Sequence, residues 1–160
     1  MSREQIVVFK LKEHEFGINV KQVLEILNYT VIRPIPDVAE YVEGITNVRG
    51  KIYSIFNLRK RLNITGQTNL ESSKFILLQV EGSHVGFLVD NVAEILTIDE
   101  ICIEKVAVLS GVNKGNSVQY IVQQKERMIM VLDVHALIWD EENLLIQGVS
   151  DEESYCSNTK

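Results

Sequence analysis

The residues of this chain that could do chemistry are few and widely spaced. Its histidines are His14, His84 and His135. His14 and His84 fall in polar steps between strand-like segments, and His135 lies two residues after Asp133. A metal site needs several ligands at fixed spacing, and no Cys or His pair offers one. Ser72, Ser73 and Ser110 have no recognisable base partner, there is no G-x-S-x-G elbow, and no glycine-rich phosphate loop occurs. Asp90 and Asp99 could pair as carboxylates, but aspartates at strand ends are more often turn formers. Cys102 and Cys156 are too few for a disulfide framework and suit a reducing cytosol. The expectation is a chain without catalytic residues, metal or cofactor. Two features remain. Arg49 sits in Asn47-Val48-Arg49-Gly50, where a planar guanidinium could bind a carboxylate or backbone carbonyls of a partner; the plainer reading is a solvated turn arginine. Val20, Val23 and Ile26 could form one wall of a groove for an amphipathic helix; the plainer reading is barrel core.

The elements that must position these residues read as short strands. Val7, Phe9 and Leu11 alternate with Val8, Lys10 and Lys12, predicting a strand with one drier face. Glu13-His14-Glu15 is a turn into a second strand through Phe16, Ile18 and Val20. Val20 to Leu27 predicts one tight turn followed by a strand. Pro34 and Pro36 interrupt the chain, Asp37 is an expected N-cap for a short helix over Val38 to Val42, and Gly44 is expected to end it. Asn47 to Gly50 predicts a turn, Lys51 to Leu58 a strand, Arg59 to Leu62 a short helical turn, and Asn63 to Ser73 a linker. Strands follow at Phe75 to Val80, Val85 to Asp90, Ile95 to Ile103, Val118 to Gln123 and Met128 to Val134. Ser110 to Ser117 reads as a loop and His135 to Ile146 as a terminal helix before an acidic tail.

The chain repeats itself. Phe16 to Leu27 aligns without gaps on Val85 to Leu96, and Ile52 to Leu62 on Met128 to Ile138, with Asn57-Leu58 opposite Asp133-Val134. Both blocks recur in the same order, which indicates duplication. Short, evenly spaced strands with turns between them indicate small barrels or a sandwich, and a barrel of about five short strands is filled by its own side chains. The outer faces and the seam between the halves are therefore the expected working surfaces.

Composition narrows the partners. A length of 160 residues fits one domain or two small halves, and a hydrophobic fraction of 46% can build their core. A net charge of −6 argues against nucleic acid and anionic lipid, both of which need a basic surface, and favours a soluble monomer in isolation. The polar start, Met1 to Gln5, has no signal-peptide pattern, and no apolar run approaches the roughly 20 residues of a membrane helix. Any link to a membrane is expected to run through a partner.

The ordered residues Phe9-x-Leu11, Phe16-Gly17-Ile18, Val23-x-Glu25-Ile26, Pro36, Tyr41-Val42-x-Gly44-Ile45, Asn47-x-Arg49-Gly50 and Asn57-Leu58-Arg59 resemble the CheW family of chemotaxis coupling proteins. Val85-Gly86-Phe87-Leu88-Val89-Asp90-x-Val92 and Leu132-Asp133-Val134-x-x-Leu137 continue the resemblance. It departs at Tyr53-Ser54, where the family often has Pro-Val, at Asn57, where it often has Asp, and near Ile121-Val122, where a glycine is common. The resemblance implies a mainly β fold of two SH3-like, five-stranded barrels with short helices around a shared core. One CheW-like domain would span residues 1–140, with a first barrel half at about 1–66, a second at 74–140, and a helix end and acidic tail at 141–160. It implies a cytoplasmic, non-enzymatic adaptor at membrane-associated receptor arrays, linking chemoreceptor tips to the regulatory domain of the histidine kinase CheA. A scaffold of another receptor–kinase pathway, or a protein using a pocket at the seam for a small ligand or a reaction, are the alternatives. By resemblance the receptor contact would involve Val20, Val23, Glu25, Ile26, Gly44, Asn47, Arg49 and Gly50, with a receptor helix in the seam. No residue is assigned to the kinase contact.

Overall fold

Runs of consecutive apolar residues, Ile6-Val7-Val8-Phe9 and Phe75-Ile76-Leu77-Leu78, decide the architecture, because a strand built from them must be covered on both faces. A computed structural model of the chain describes residues 4–66, 69–99, 103–105 and 117–138. Cys102, Cys156, nearly all of the Ser110 to Ser117 loop, the second part of the expected terminal helix and the acidic tail lie outside the described residues. The strands are β1 (Glu4–Leu11), β2 (His14–Asn19), β3 (Val23–Asn28), β4 (Val42–Val48), β5 (Lys51–Asn57), β6 (Lys74–Val80), β7 (Ser83–Val89), β8 (Asn91–Ile98), β9 (Ile103–Lys105), β10 (Val118–Gln124) and β11 (Arg127–Leu132). Short helices α1 (Leu58–Arg61) and α2 (Val134–Ile138) follow β5 and β11, and 3-10 turns form at Val20–Gln22 and Leu70–Ser72.

Two sheets form, in the orders β8-β1-β2-β11-β10-β9 and β3-β6-β7-β5-β4. Each curls round its own core. Ile6, Val8, Ile98, Val122, Ile129 and Val131 fill the first, barrel I, and Tyr53, Ile55, Phe75, Leu77 and Leu88 fill the second, barrel II. The opposite faces of the same strands, through Val7, Phe9, Leu11, Phe16, Ile18, Phe56, Ile76, Leu78, Val85, Phe87, Val89 and Leu132, meet in one larger core between the barrels. The expectation that β1 has a single drier face is therefore corrected: one face lines barrel I and the other lines the shared core.

The division into halves at residues 1–66 and 74–140 does not separate the barrels. Hairpin β1–β2 joins strands β8 to β11 of the second repeat, and hairpin β6–β7 joins β3 to β5 of the first. The exchange is reciprocal in register. In barrel I, β2 runs parallel to β11 with Gly17 opposite Val131, and in barrel II, β7 runs parallel to β5 with Gly86 opposite Ile55. Val8 faces Glu94 and Phe9 faces Val92 across a bulge, while Leu77 faces Glu25 and Leu78 faces Val23 across another. The repeats are thus equivalent pair by pair, but each lends its hairpin to the other. The physical reason is the short path from β2 to β3 and from β7 to β8, a single turn in each case, which carries the chain out of the hairpin's own sheet.

Asp90 fixes one of these crossings. Its carboxylate accepts the Lys12 N–H at 2.7 Å and the Arg59 Nε–H at 2.9 Å, and so joins the β1–β2 turn to α1. This hydrogen-bonded carboxylate holds the Arg59 pKa above its ordinary value. Arg61 then ties α1 to α2 by donating to the carbonyls of Leu137 at 3.1 Å and Ala136 at 3.2 Å.

Two sequence expectations change locally. Barrel I carries a sixth strand, β9. Residues 38–42 form no helix: Asp37, the expected N-cap, has φ 57, whereas an N-cap is extended, and only one turn closes, from the Val42 N–H to the Ala39 carbonyl at 2.9 Å. Gly44 lies in β4 instead of ending that helix.

The barrel interiors leave no room at the paired glycines. A Cβ on Gly86 would lie 2.6 Å from Ile55 Cδ1 and 3.1 Å from Leu77 Cδ2, and one on Gly17 would lie 2.9 Å from Ile6 Cδ1. Gly86→Ala is expected to cost about 1–3 kcal/mol by overpacking, read as a lower urea midpoint with an unchanged slope. Adding Ile55→Val should recover part of that loss. An unchanged midpoint for the single variant would contradict the tight packing.

Candidate functional site

Barrel II carries the residues singled out from sequence. Asn19 Oδ1 accepts the Lys21 N–H at 2.9 Å and sets the 3-10 turn that launches β3. Along β3, Val23, Glu25 and Leu27 are half-buried while Leu24, Ile26 and Asn28 are exposed. Leu27 packs on the barrel II core, so Glu25, two residues earlier on the same face, comes to the mouth of that barrel. Leu24 is 50% exposed and Ile26 38%, on the outer face.

The β4–β5 hairpin brings Arg49 to the same place. Arg49 and Gly50 form a two-residue turn with φ 50 and φ 87, the positive pair that a tight hairpin requires. Asn47 Oδ1 accepts the Gly50 N–H at 3.0 Å and holds the turn. Arg49 Nη2 then donates to Glu25 Oε1. The Arg49 side chain is 69% exposed, so this pair adds at most about 1 kcal/mol to stability. Its weakness leaves the guanidinium cheap to redirect onto a partner's acceptor.

The remaining candidates divide. Val20 and Val23 are half-buried and pack against the shared core, whereas Ile26 faces solvent, so the three do not form one wall. Gly44 is buried and is not a point of partner approach. It has φ 144, a Cβ there would lie 2.1 Å from the Arg33 carbonyl oxygen, and its close neighbour is the bridge in which Arg33 and Ile45 exchange N–H···O bonds of 2.8 Å each. Gly50, by contrast, has nothing within 4 Å of its missing Cβ. The seam itself is filled by the shared core. Of the candidates, Glu25, Asn47, Arg49 and Gly50 come together at the mouth of barrel II, with Ile26 on the outer face of β3.

The second repeat carries a counterpart of this turn that the sequence pattern does not reveal. Glu94, which aligns with Glu25, pairs with Arg127 at 2.7 Å, and Arg127 also binds Glu15 at 2.8 Å. The turn Lys125–Glu126 stands where Arg49–Gly50 stands in barrel II, but the arginine comes at the start of β11 instead of in the turn. The aligned glutamates were the available signal; the shifted arginine hid it. The hydrogen bond from Arg127 holds the Glu15 carboxyl below its ordinary pKa, and Glu15 and Glu94 together raise that of Arg127.

The other ionisable candidates have structural surroundings. Asp90 is engaged by Arg59, His84 lies edge-on to Tyr53 with ring centroids 5.2 Å apart, and His135 Nε2 is 3.4 Å from Glu81. Among the described residues no group of three His, Cys, Asp or Glu side chains converges on a metal position. No helix among them is long and apolar enough to cross a membrane.

The chain thus forms two interleaved SH3-like barrels, with an Arg–Glu pair at the mouth of each. The family model for the CheW-like domain matches residues 5–142, and the chain belongs to that family. It is 34% identical to the chemotaxis protein CheW of Treponema pallidum over 86% of this chain and 84% of that protein. It is 30% identical to the Bacillus subtilis chemotaxis protein CheW, covering 84% of this chain and 86% of the relative. The crystal structure of the scaffolding protein TtCheW from Thermoanaerobacter tengcongensis superposes with a TM-score of 0.80 at 32% identity, over 87% of this chain and 94% of that one. The role of the chain is that of an adaptor in chemotaxis signalling.

The depressed Glu15 pKa gives a pH dependence. Because the folded value lies below the unfolded one, about 4.3, the contribution of Glu15 is complete above that value and is lost as pH falls through the folded pKa. Glu15→Gln is expected to cost up to about 1 kcal/mol at pH near 7, with the difference from wild type shrinking below pH of about 4. Urea unfolding at both pH values checks this, and a pH-independent difference would contradict it.

Proposed function

We propose that this chain couples the cytoplasmic tips of chemoreceptors to the regulatory domain of the histidine kinase CheA, and that it does so by binding alone. The observation that carries the reading is the exposed Arg49–Glu25 pair, set beside the exposed apolar side chains of Leu24 and Ile26 and the open turn at Gly50. A helix of the receptor tip would lay its apolar side on Leu24 and Ile26, and Arg49 would fix its register through a hydrogen-bond acceptor. Glu25 orients Arg49 in the free protein and gives it up, or shares it, in the complex. Asn47 supports the turn from which Arg49 projects.

A patch of this size buries less than the roughly 1,200–2,000 Å² of a stable interface. Affinity for one receptor would be modest, and firm assembly would come from multivalency. The chain would thus reside in the cytoplasm at membrane-attached receptors through its partners. The interleaved barrels suit such a task, since a common core joins them into one rigid platform on which two partners would be held.

The test is titration of a soluble receptor-tip fragment, by calorimetry, into folded wild type, Arg49→Ala and the charge swap Glu25→Arg/Arg49→Glu. Arg49→Ala should weaken binding about tenfold with little change in unfolding midpoint. The swap should keep the ion pair and still bind poorly, because the partner meets the wrong charge. Equal affinities for all three folded proteins would overturn the reading.

A further inference from the structure

Arg33 stands apart among the described arginines. Arg49 pairs with Glu25, Arg59 with Asp90, Arg127 with Glu15 and Glu94, and Arg61 donates to two carbonyls of α2. Among the described residues the Arg33 guanidinium makes no ion pair or hydrogen bond, although its backbone is the most constrained part of the 29–41 connection. It is bridged to Ile45 by two hydrogen bonds of 2.8 Å, it is followed by Pro34, and its carbonyl sits against Gly44 so closely that no Cβ fits between. A rigid backbone thus presents an uncommitted cation.

That cation lines a surface pocket of about 550 Å³, together with Thr30, Val31, Ile45, Asn47 and Ile52. Val31 is 74% exposed, which nothing in the fold of barrel II requires. Thr46, also in the lining, donates to the Val31 carbonyl at 2.9 Å and holds the Val31 backbone at the pocket. Asn47 belongs both to this pocket and to the Arg49 turn, and among the described residues its amide NH2 has no acceptor. The pocket therefore continues the surface assigned above to the receptor tip.

We infer that this pocket is an anchor for an acidic side chain of the docked helix, with Arg33 as its cationic partner and Val31 packing on the adjacent apolar position of the same helix. The inference rests on the proposed receptor contact and adds to it the chemistry of one position: a Glu or Asp on the same helix as the acceptor met by Arg49. Charge complementarity favours this occupant. Arg49 is already paired with Glu25, whereas the exposed Arg33 guanidinium has no partner among the described residues, so a carboxylate placed in the pocket gains a charge-assisted hydrogen bond without displacing an existing one.

The experiment titrates the same receptor-tip fragment, at low and high salt, into wild type, Arg33→Gln, Arg33→Lys and Val31→Ser, with unfolding midpoints measured in parallel. Arg33→Gln should weaken binding about fivefold to tenfold at low salt and flatten the salt dependence, without moving the midpoint. Arg33→Lys should restore the charge-dependent part only. Changing Glu and Asp residues of the tip to their amides one at a time should then reveal one that weakens binding to wild type but not to Arg33→Gln. Wild-type affinity and salt dependence in Arg33→Gln would overturn the inference while leaving the receptor reading intact. Failure of wild type to bind the tip at all would overturn both. Equal losses for every carboxylate would overturn the single anchored contact in favour of diffuse attraction.

Discussion

The two-faced burial of hairpins β1–β2 and β6–β7 governs everything else in this protein. A strand that is apolar on one side can sit at the surface of a barrel. Strands that read Ile-Val-Val-Phe or Phe-Ile-Leu-Leu cannot, because either face left in water would expose several large side chains, at about 25 cal/mol for each Å². The solution is to place each hairpin in the wall that two barrels share. One side chain set then closes a barrel and the alternate set closes the seam. The space between the barrels is consequently occupied by a continuous apolar core, and the ionisable pairs lie at the barrel mouths.

Edge strands β3 and β8 each contribute to one of these pairs. Both are bulged, and both place a glutamate at a barrel mouth facing an arginine from the opposite hairpin. The two mouths have diverged in strength. In barrel II an exposed arginine has one half-buried partner, and in barrel I the arginine is gripped by two carboxylates. The first arrangement is suited to exchange with a partner and the second to holding the barrel shut. The duplicated geometry thus differs in how firmly its arginine is held, because that arginine sits in the turn in one repeat and at the start of the strand in the other.

Much of this was legible in the residues. The gapless match of Phe16–Leu27 to Val85–Leu96 and of Ile52–Leu62 to Met128–Ile138 is reproduced in the structure as identical pairings. The Arg49–Gly50 turn follows from glycine's tolerance of positive φ, and its consequence, an arginine at the rim of barrel II, follows from the hairpin. What local pattern could not give was the partner of each hairpin. Alternation reports which side of a strand is apolar, but β2 with β11 and β5 with β7 are parallel contacts between distant segments, and nothing within either strand names the other. The same limit misplaced Gly44, whose constraint comes from Arg33 across a bridge, and concealed Arg127, whose partners lie in β2 and β8. Residues 38–42 misled for a local reason, since Asp37 takes a left-handed conformation that mimics a cap in composition only.

The reciprocal loan of hairpins has a bearing on origin. One copy of the repeat, taken alone, owns a hairpin that it cannot use and a set of strands that lacks a hairpin. It has no closed barrel and no shared wall. Two copies exchanging hairpins satisfy each other completely, which is the arrangement of a domain-swapped homodimer with a twofold axis. The segment between α1 and β6 turns that dimer into a single polypeptide. Fusion freed the two copies to differ, and the asymmetry between a loosely held and a tightly held arginine is a property that no symmetric ancestor could have possessed.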